Sequence, residues 1–224
     1  MKIDNHIHIG KSEKLDGRHL TFESCYHLMK NYGVDRSAVM PNLSNIIENS
    51  VLNEEMMREY NKSEFKDRFY PMIVIDSKDM RTLDQISEYK DEIVGLKYHP
   101  SIAELPLTDE KLRVFLETAD DYDLPLLVHC GRHWRSHVSY VIEAANEFKS
   151  LIFIAAHMGG GATDIIAEAL DLIGESGAKN IYLDTSAGKL PWLVEEGVRL
   201  VGANRILFGS DEPYADLRIS KYCI

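Results

Sequence analysis

Eight short runs rich in Val, Ile, Leu and Tyr, alternating with stretches of helical periodicity, predict an α/β chain folded as a (β/α)8 TIM barrel. No Ser/Gly-rich linker or low-complexity stretch breaks that alternation, which predicts one domain over residues 1–224. Ionisable residues also recur at the C-terminal ends of several runs. A doubly wound open sheet is the competing architecture. It would scatter those polar ends, whereas a closed barrel gathers them round one basin.

The first strand covers Ile3–Ile9, and Phe22, Cys25, Tyr26 and Met29 then mark a helix that Gly33 stops before a second strand at Ser37–Met40. Leu52, Met56 and Tyr60 outline the next helix, Pro71 opens a third strand at Tyr70–Ile75, and Leu83 and Ile86 outline another helix. Gly95 lies in the fourth strand, Ile93–Tyr98, and Leu112, Phe115, Leu116 and Ala119 form the stripe after it. Pro125 introduces the fifth strand, Leu126–His129, followed by Val138, Val141, Ile142 and Ala145. The sixth strand, Ile152–Ala156, precedes Ile165, Ile166, Ala169 and Ile173; the seventh, Ile181–Asp184, precedes Val194, Val198 and Val201. Gly202 then leads into the eighth strand, Ile206–Gly209. Too little chain follows Asp211 for more than a turn or two, so the eighth helix is expected to be short or missing. That shortfall should bare an apolar strip beside strands eight and one. A second subunit, most simply in a two-fold dimer, or the segment Asn42–Lys62 is expected to cover it.

Twenty-five Lys and Arg against thirty-six Asp and Glu give a net charge of −11, with 45% hydrophobic residues. This is a soluble globular composition, and its acidity argues against nucleic acid or an anionic membrane surface as partner. No apolar run approaches the roughly 18 residues of a membrane span, and Met1-Lys2-Ile3-Asp4 enters strand-like sequence directly, so a cytoplasmic location is expected. Cys25, Cys130 and Cys223 are odd in number and form no C-x-x-C pair, so a metal here must use His and carboxylate.

Alternation along Asp4-Asn5-His6-Ile7-His8-Ile9 sends His6 and His8 to one side of the first strand. By itself such a pair is as well explained by hydrogen-bonded core histidines. Lys97, His129, His157 and Asp211 follow at intervals of three, one, one and two units of about 25–30 residues each, which places them at the mouths of strands four, five, six and eight. A shared metal site accounts for all of them, because separate buried charges would each cost several kcal/mol.

In these pieces the chain resembles the amidohydrolase superfamily, more narrowly its amidohydrolase-related branch of metal-dependent hydrolases and decarboxylases. The matching segments are Asp4-x-His6-x-His8, Gly95-Leu96-Lys97-Tyr98-His99-Pro100, Pro125 to Gly131, Ala156-His157-Met158-Gly159-Gly160, Asn180 to Ser186 and Ile206 to Pro213, in that order over nearly the whole chain. The resemblance implies one divalent ion, usually Zn2+ with Mn2+ as the other candidate, held by His6, His8, His129 and Asp211, with His157 beside the water it activates. The missing closing helix departs from the family pattern.

Asp211 has two roles open to it, ligand and proton acceptor, with a helix cap as the plain alternative. His157, ahead of Gly159-Gly160-Gly161, is assigned to proton transfer at the reacting oxygen. Lys97 has three readings, a carboxylated bridge between two metals, a structural ion pair and a free ammonium for an anionic substrate; the last is preferred. His99 reads equally as loop anchor or substrate contact. The loop Gly131–His137 concentrates Arg132, Trp134 and Arg135, a combination suited to a carboxylate on a flat skeleton. Tyr98 and Trp192 could supply apolar walls, and Asp184 and Ser186 are read as bracing the seventh strand end. The leading function is a metal-dependent hydrolase of a small carboxylated ester, lactone or amide. The alternatives are a non-oxidative decarboxylase of an aromatic or unsaturated acid and a catalytically silent metal-binding barrel.

Overall fold

The computed structural model describes residues 1–12, 18–44, 46–186 and 190–222. Nine strands and nine α-helices are assigned among them. The strands are β1 (Ile3–Lys11), β2 (His19–Leu20), β3 (Arg36–Pro41), β4 (Phe69–Val74), β5 (Gly95–Tyr98), β6 (Leu126–Val128), β7 (Phe153–Ala155), β8 (Ile181–Asp184) and β9 (Ile206–Leu207). The helices are α1 (Phe22–Tyr32), α2 (Asn49–Lys62), α3 (Arg81–Tyr89), α4 (Pro100–Ala103), α5 (Arg113–Asp121), α6 (Val138–Glu147), α7 (Thr163–Ser176), α8 (Pro191–Val201) and α9 (Leu217–Tyr222).

Strands β1 and β3 to β9 run parallel in chain order, and β2 adds only a short antiparallel edge on β1. The sheet curls until the segment after β9 meets β1. There Asn5 N–H donates to Phe208 O at 2.7 Å, Asp211 N–H to His6 O at 2.8 Å and His8 N–H to Glu212 O at 2.8 Å. This seam closes the barrel irregularly, by hydrogen bonds and one bridge, Ile7 to Glu212.

Period-two alternation sorts the strand residues into two cores. Ile7, Ile9, Val39, Ile73, Leu96, Tyr98, Leu126, Val128, Phe153, Ala155, Ile181 and Leu183 point outward and pack with the helix stripes. Ala38, Met40, Met72, Leu127, Ile154 and Ala156 fill the interior, with Tyr70, Tyr182 and Leu207 against them. The same parity directs His6, His8 and Lys97 inward above that plug.

Local signals agree with most elements. Thr21 and Ser24 form a reciprocal cap at the start of α1, and Gly33, at φ 68°, ends it in the left-handed conformation that glycine tolerates best. Pro71 lies within β4 instead of opening it, at the point where the β3–β4 ladder stops.

Two expectations are corrected. The stripe Leu52, Met56, Tyr60 is not the buried face of α2. That face carries Asn49, Ser50, Asn53, Met56 and Met57. Beyond Pro71 strand β4 has no β3 partner, and Asn53 replaces it: its Oδ1 accepts from Val74 N–H at 2.8 Å and its Nδ2 donates to Val74 O at 2.9 Å. The segment Asn42–Lys62 therefore does not wrap the wall between strands eight and one, because α2 packs on β3 and β4. The eighth helix is the short α9, with Leu217 buried beneath it and Ile219 59% exposed.

Replacing Asn53 by Ala strands both backbone groups of Val74 and should cost about 2–4 kcal/mol, read as a fall in the urea midpoint at unchanged slope. A change below about 0.5 kcal/mol would mean water replaces the side chain.

Candidate metal centre

Strands β1, β5 and β8 and the segments after β6, β7 and β9 build the centre. His6 and His8 lie on β1, whose register slips between Asp4 and Ile7. That bulge gives His6 N–H the carboxylate of Asp4 as acceptor, at 3.0 Å. Asp4 also accepts from Ser210 N–H at 3.0 Å, so one buried carboxyl joins β1 to the residue before Asp211. Burial pushes the Asp4 carboxyl up to about 7, against those hydrogen bonds.

His6 Nδ1 lies 2.8 Å from Asp184 Oδ2 and His8 Nδ1 lies 3.1 Å from Pro41 O. Both acceptors require the Nδ1 proton, so Nε2 is the ring atom that each histidine turns inward. The two Nε2 atoms stand 3.2 Å apart, and Asp211 Oδ1 lies 3.4 Å from the first and 3.3 Å from the second. Three ligand atoms converging at that range could hold a cation between them. The donor set, two imidazoles and a carboxylate, fits a divalent ion of the zinc type. His6, His8 and Asp211 are one of two potential ligand groups among the described residues; the other is His6, His157 and Asp184.

His129, one residue past β6, is not in either group. Its Nδ1 stands 3.0 Å from His157 Nε2, a separation that suits an N–H···N bond or two ligands of one ion. His99 stacks on its ring with centroids 3.8 Å apart. Lys97 is buried, with Nζ 3.3 Å from His6 Nε2.

His157 reaches the centre by a backbone device. Ile154 and Ala156 face the interior, so continued strand geometry would send residue 157 outward. His157 and Met158 instead adopt φ of 60° and 55°, a sparsely populated left-handed conformation that turns His157 into the mouth and Met158 into the outer core. Gly160 fits under this turn because an added Cβ would meet the Ile165 backbone at 2.7 Å. Asp211 shares the left-handed backbone, at φ 62°.

Burial, then the neighbouring charges of His99 and His157, pushes the His129 imidazole well below its usual range. Burial likewise lowers His157, as it does His6, where Lys97 adds to it. The lowering favours the neutral ring, the form that ligates metal or accepts a proton. Burial also lowers the Lys97 ammonium, against the pull of Asp211 and Asp184. For Asp184 burial pushes upward, but the charge and hydrogen bond of His6 outweigh it and set the carboxyl at about 2.

In the loop Gly131–His137 the two arginines meet different partners. Arg132 forks onto Asp164 at 3.1 and 2.9 Å, both groups exposed, which anchors the loop to α7. The Arg135 guanidinium carbon lies 4.6 Å from the centroid of the exposed Trp134 ring. Trp192 is also exposed, while Tyr98 is buried on the outer side of its strand and gives its hydroxyl to Leu105 O, so it forms no wall of the site. Asp184 and Ser186 lie inside the centre, not merely at a strand end. Tyr214, edge-on to His8 at 5.2 Å, went unnoticed in the sequence although it closely follows the last strand motif.

The amidohydrolase family model matches residues 3–223. The chain belongs to the amidohydrolase family. The family is metal-dependent, in keeping with the donor set just described. No curated relative matches this amidohydrolase by sequence. Among solved structures it is similar to 5-carboxyvanillate decarboxylase from Sphingomonas paucimobilis, at 11% identity and TM-score 0.73 over 99% of this chain and 91% of that one. A 2,6-dihydroxybenzoate decarboxylase from Rhizobium gives 16% and 0.73 over 99% and 92%. A probable 2-pyrone-4,6-dicarboxylic acid hydrolase from Acinetobacter baumannii, with citric acid bound, gives 14% and 0.71 over 99% and 91%. At such identities the likeness is one of fold, and it places this amidohydrolase on a TIM-barrel scaffold.

Asp184→Asn puts an NH2 group against one of the donors that the carboxylate now accepts. It should weaken Zn2+ binding about 10–100-fold in a chelator competition while the protein stays folded. Unchanged affinity would show that Asp184 does not orient His6 for an ion.

Proposed function

We propose that this amidohydrolase is a metal-dependent hydrolase of a small carboxylated ester, lactone or amide, using one Zn2+ or, failing that, Mn2+. The observation that carries this reading is the convergence of His6 Nε2, His8 Nε2 and Asp211 Oδ1, with His157 on the same face of the basin. His6, His8, Asp211 and His129 would hold the ion. When bound, such an ion polarises a carbonyl and brings the pKa of a coordinated water to about 7.

The remaining work falls to the chain itself. His157, neutral and with its ring 5.3 Å from that of His6, takes a proton from the attacking oxygen and returns it to the leaving group. Asp211 shares that duty through its second oxygen. Lys97 meets the substrate's anionic end from below, and Arg135 with Trp134 meets a carboxylate on a flat skeleton at the rim. Arg132 joins them only by releasing Asp164. His99 acts on the substrate side through its stack on His129.

The second reading, non-oxidative decarboxylation of an aromatic or unsaturated acid, draws on the decarboxylases of the same fold. A panel of lactones and hydroxybenzoates separates the two: acid formed without carbon dioxide supports hydrolysis, and carbon dioxide evolution overturns it.

His6→Ala, His8→Ala and His129→Ala should each lose metal and activity together. His157→Asn should keep the metal, by elemental analysis, while turnover falls roughly 10²–10⁴-fold. Loss of metal in that variant would make His157 a ligand. A second equivalent of metal in the unaltered protein would promote Lys97 to a bridge. Arg135→Met should raise KM for an acid substrate and leave its uncharged ester analogue almost unaffected; equal effects on both would make the loop structural.

A further inference from the structure

The hydroxyl of Ser186 has no exposure to solvent and touches three polar groups. It hydrogen-bonds to Asp184 Oδ1, and lies 2.8 Å from His157 Nδ1 and 3.2 Å from His6 Nδ1. A hydroxyl carries one hydrogen. An ionised carboxylate only accepts, and Asp184 Oδ1 is a hydrogen-bond partner of Ser186 Oγ. The hydroxyl hydrogen therefore goes to Asp184. What remains on Oγ are lone pairs, and His157 Nδ1 at 2.8 Å must supply the proton between them.

We infer that Ser186 is a positioning residue that fixes the ring proton of His157 on Nδ1 and leaves Nε2 as the proton-accepting atom. The same carboxylate imposes the matching choice on His6, whose Nδ1–H points at Asp184 Oδ2. Asp184 is locked in turn, since its Oδ1 also accepts from His157 N–H at 2.8 Å and Ser186 N–H at 3.1 Å. The tautomer of His157 thus depends on a serine two residues past the end of β8, a neighbour in space and remote in sequence. In solution a neutral imidazole prefers the other tautomer only slightly, so one directed hydrogen bond suffices to choose. The inference rests on the proposed acid–base role of His157 for its consequence in turnover, but not for the tautomer itself.

Nitrogen-15 spectra of the histidine rings test it in the full-length protein, metal-free and loaded with Zn2+. In the unaltered protein His157 should show a pyrrole-type Nδ1 and a pyridine-type Nε2. Ser186→Ala should give averaged shifts for both nitrogens, and its turnover should fall about 10–100-fold with KM changed less than threefold. A protonated Nε2 in the unaltered protein overturns the inference even if the variant fails to fold. So does a folded Ser186→Ala protein that keeps the single Nδ1–H form, or one that keeps full turnover while His157→Asn loses it. If His157→Asn retains full turnover while the tautomer shift in Ser186→Ala is as described, the acid–base reading fails and the positioning of the ring stands.

Discussion

A buried, ionised carboxylate must be surrounded by donors, and the centre is organised round that requirement at Asp184. The residue ends β8, deep in the mouth of the barrel. Its two oxygens collect His6 from β1, His157 from the turn after β7 and both polar groups of Ser186. Each of those partners is held at hydrogen-bonding distance by a group whose desolvation would otherwise cost several kcal/mol. The closure of the barrel and the geometry of the site are in this sense one problem. Strand β8 reaches β1 across the top only because β9 and the seam after it bring the two sides together, and Asp4 performs the same service lower down, linking His6 to Ser210.

The barrel divides its chemistry by height. Methionines, alanines and leucines plug the interior, and His6, His8 and Lys97 lie above that plug. Burial there lowers His6, His129 and His157, which favours their neutral form. That arrangement suits a metal ion and a proton acceptor alike, and it explains why one scaffold serves both the hydrolase and the decarboxylases that share this fold. Fold does not choose between those reactions. In the function proposed here the choice is left to the rim, with Arg135 and Trp134 as the proposed substrate contacts and Arg132 paired with Asp164.

Much of this was legible in the sequence because the relevant periodicities are local. Alternation fixed which way His6, His8 and Lys97 point, and the even spacing of strand ends put them on one level with His129, His157 and Asp211. Apolar stripes identified α1, α5, α6 and α7 with few errors, since each is a helix laid on a sheet with nothing polar beneath it. The stripe of α2 misled for a definite reason. Its buried face is polar, and it is buried because β4 outruns β3 and leaves the amide and carbonyl of Val74 for Asn53 to satisfy, a need that exists only once the strands are paired.

The chain's own order of residues thus determined the alternating architecture, the inward set of ionisable groups and the class of ligand they suit. Tertiary structure alone decided how those groups face one another. It turned His157 inward through a left-handed backbone, gave Arg132 to Asp164, buried Tyr98 away from the site and placed Ser186 under His157. The physical reason is common to all four. Side-chain direction along a strand follows from covalent geometry and can be read residue by residue, whereas a hydrogen-bond partner is chosen by three-dimensional proximity between segments that the sequence keeps far apart.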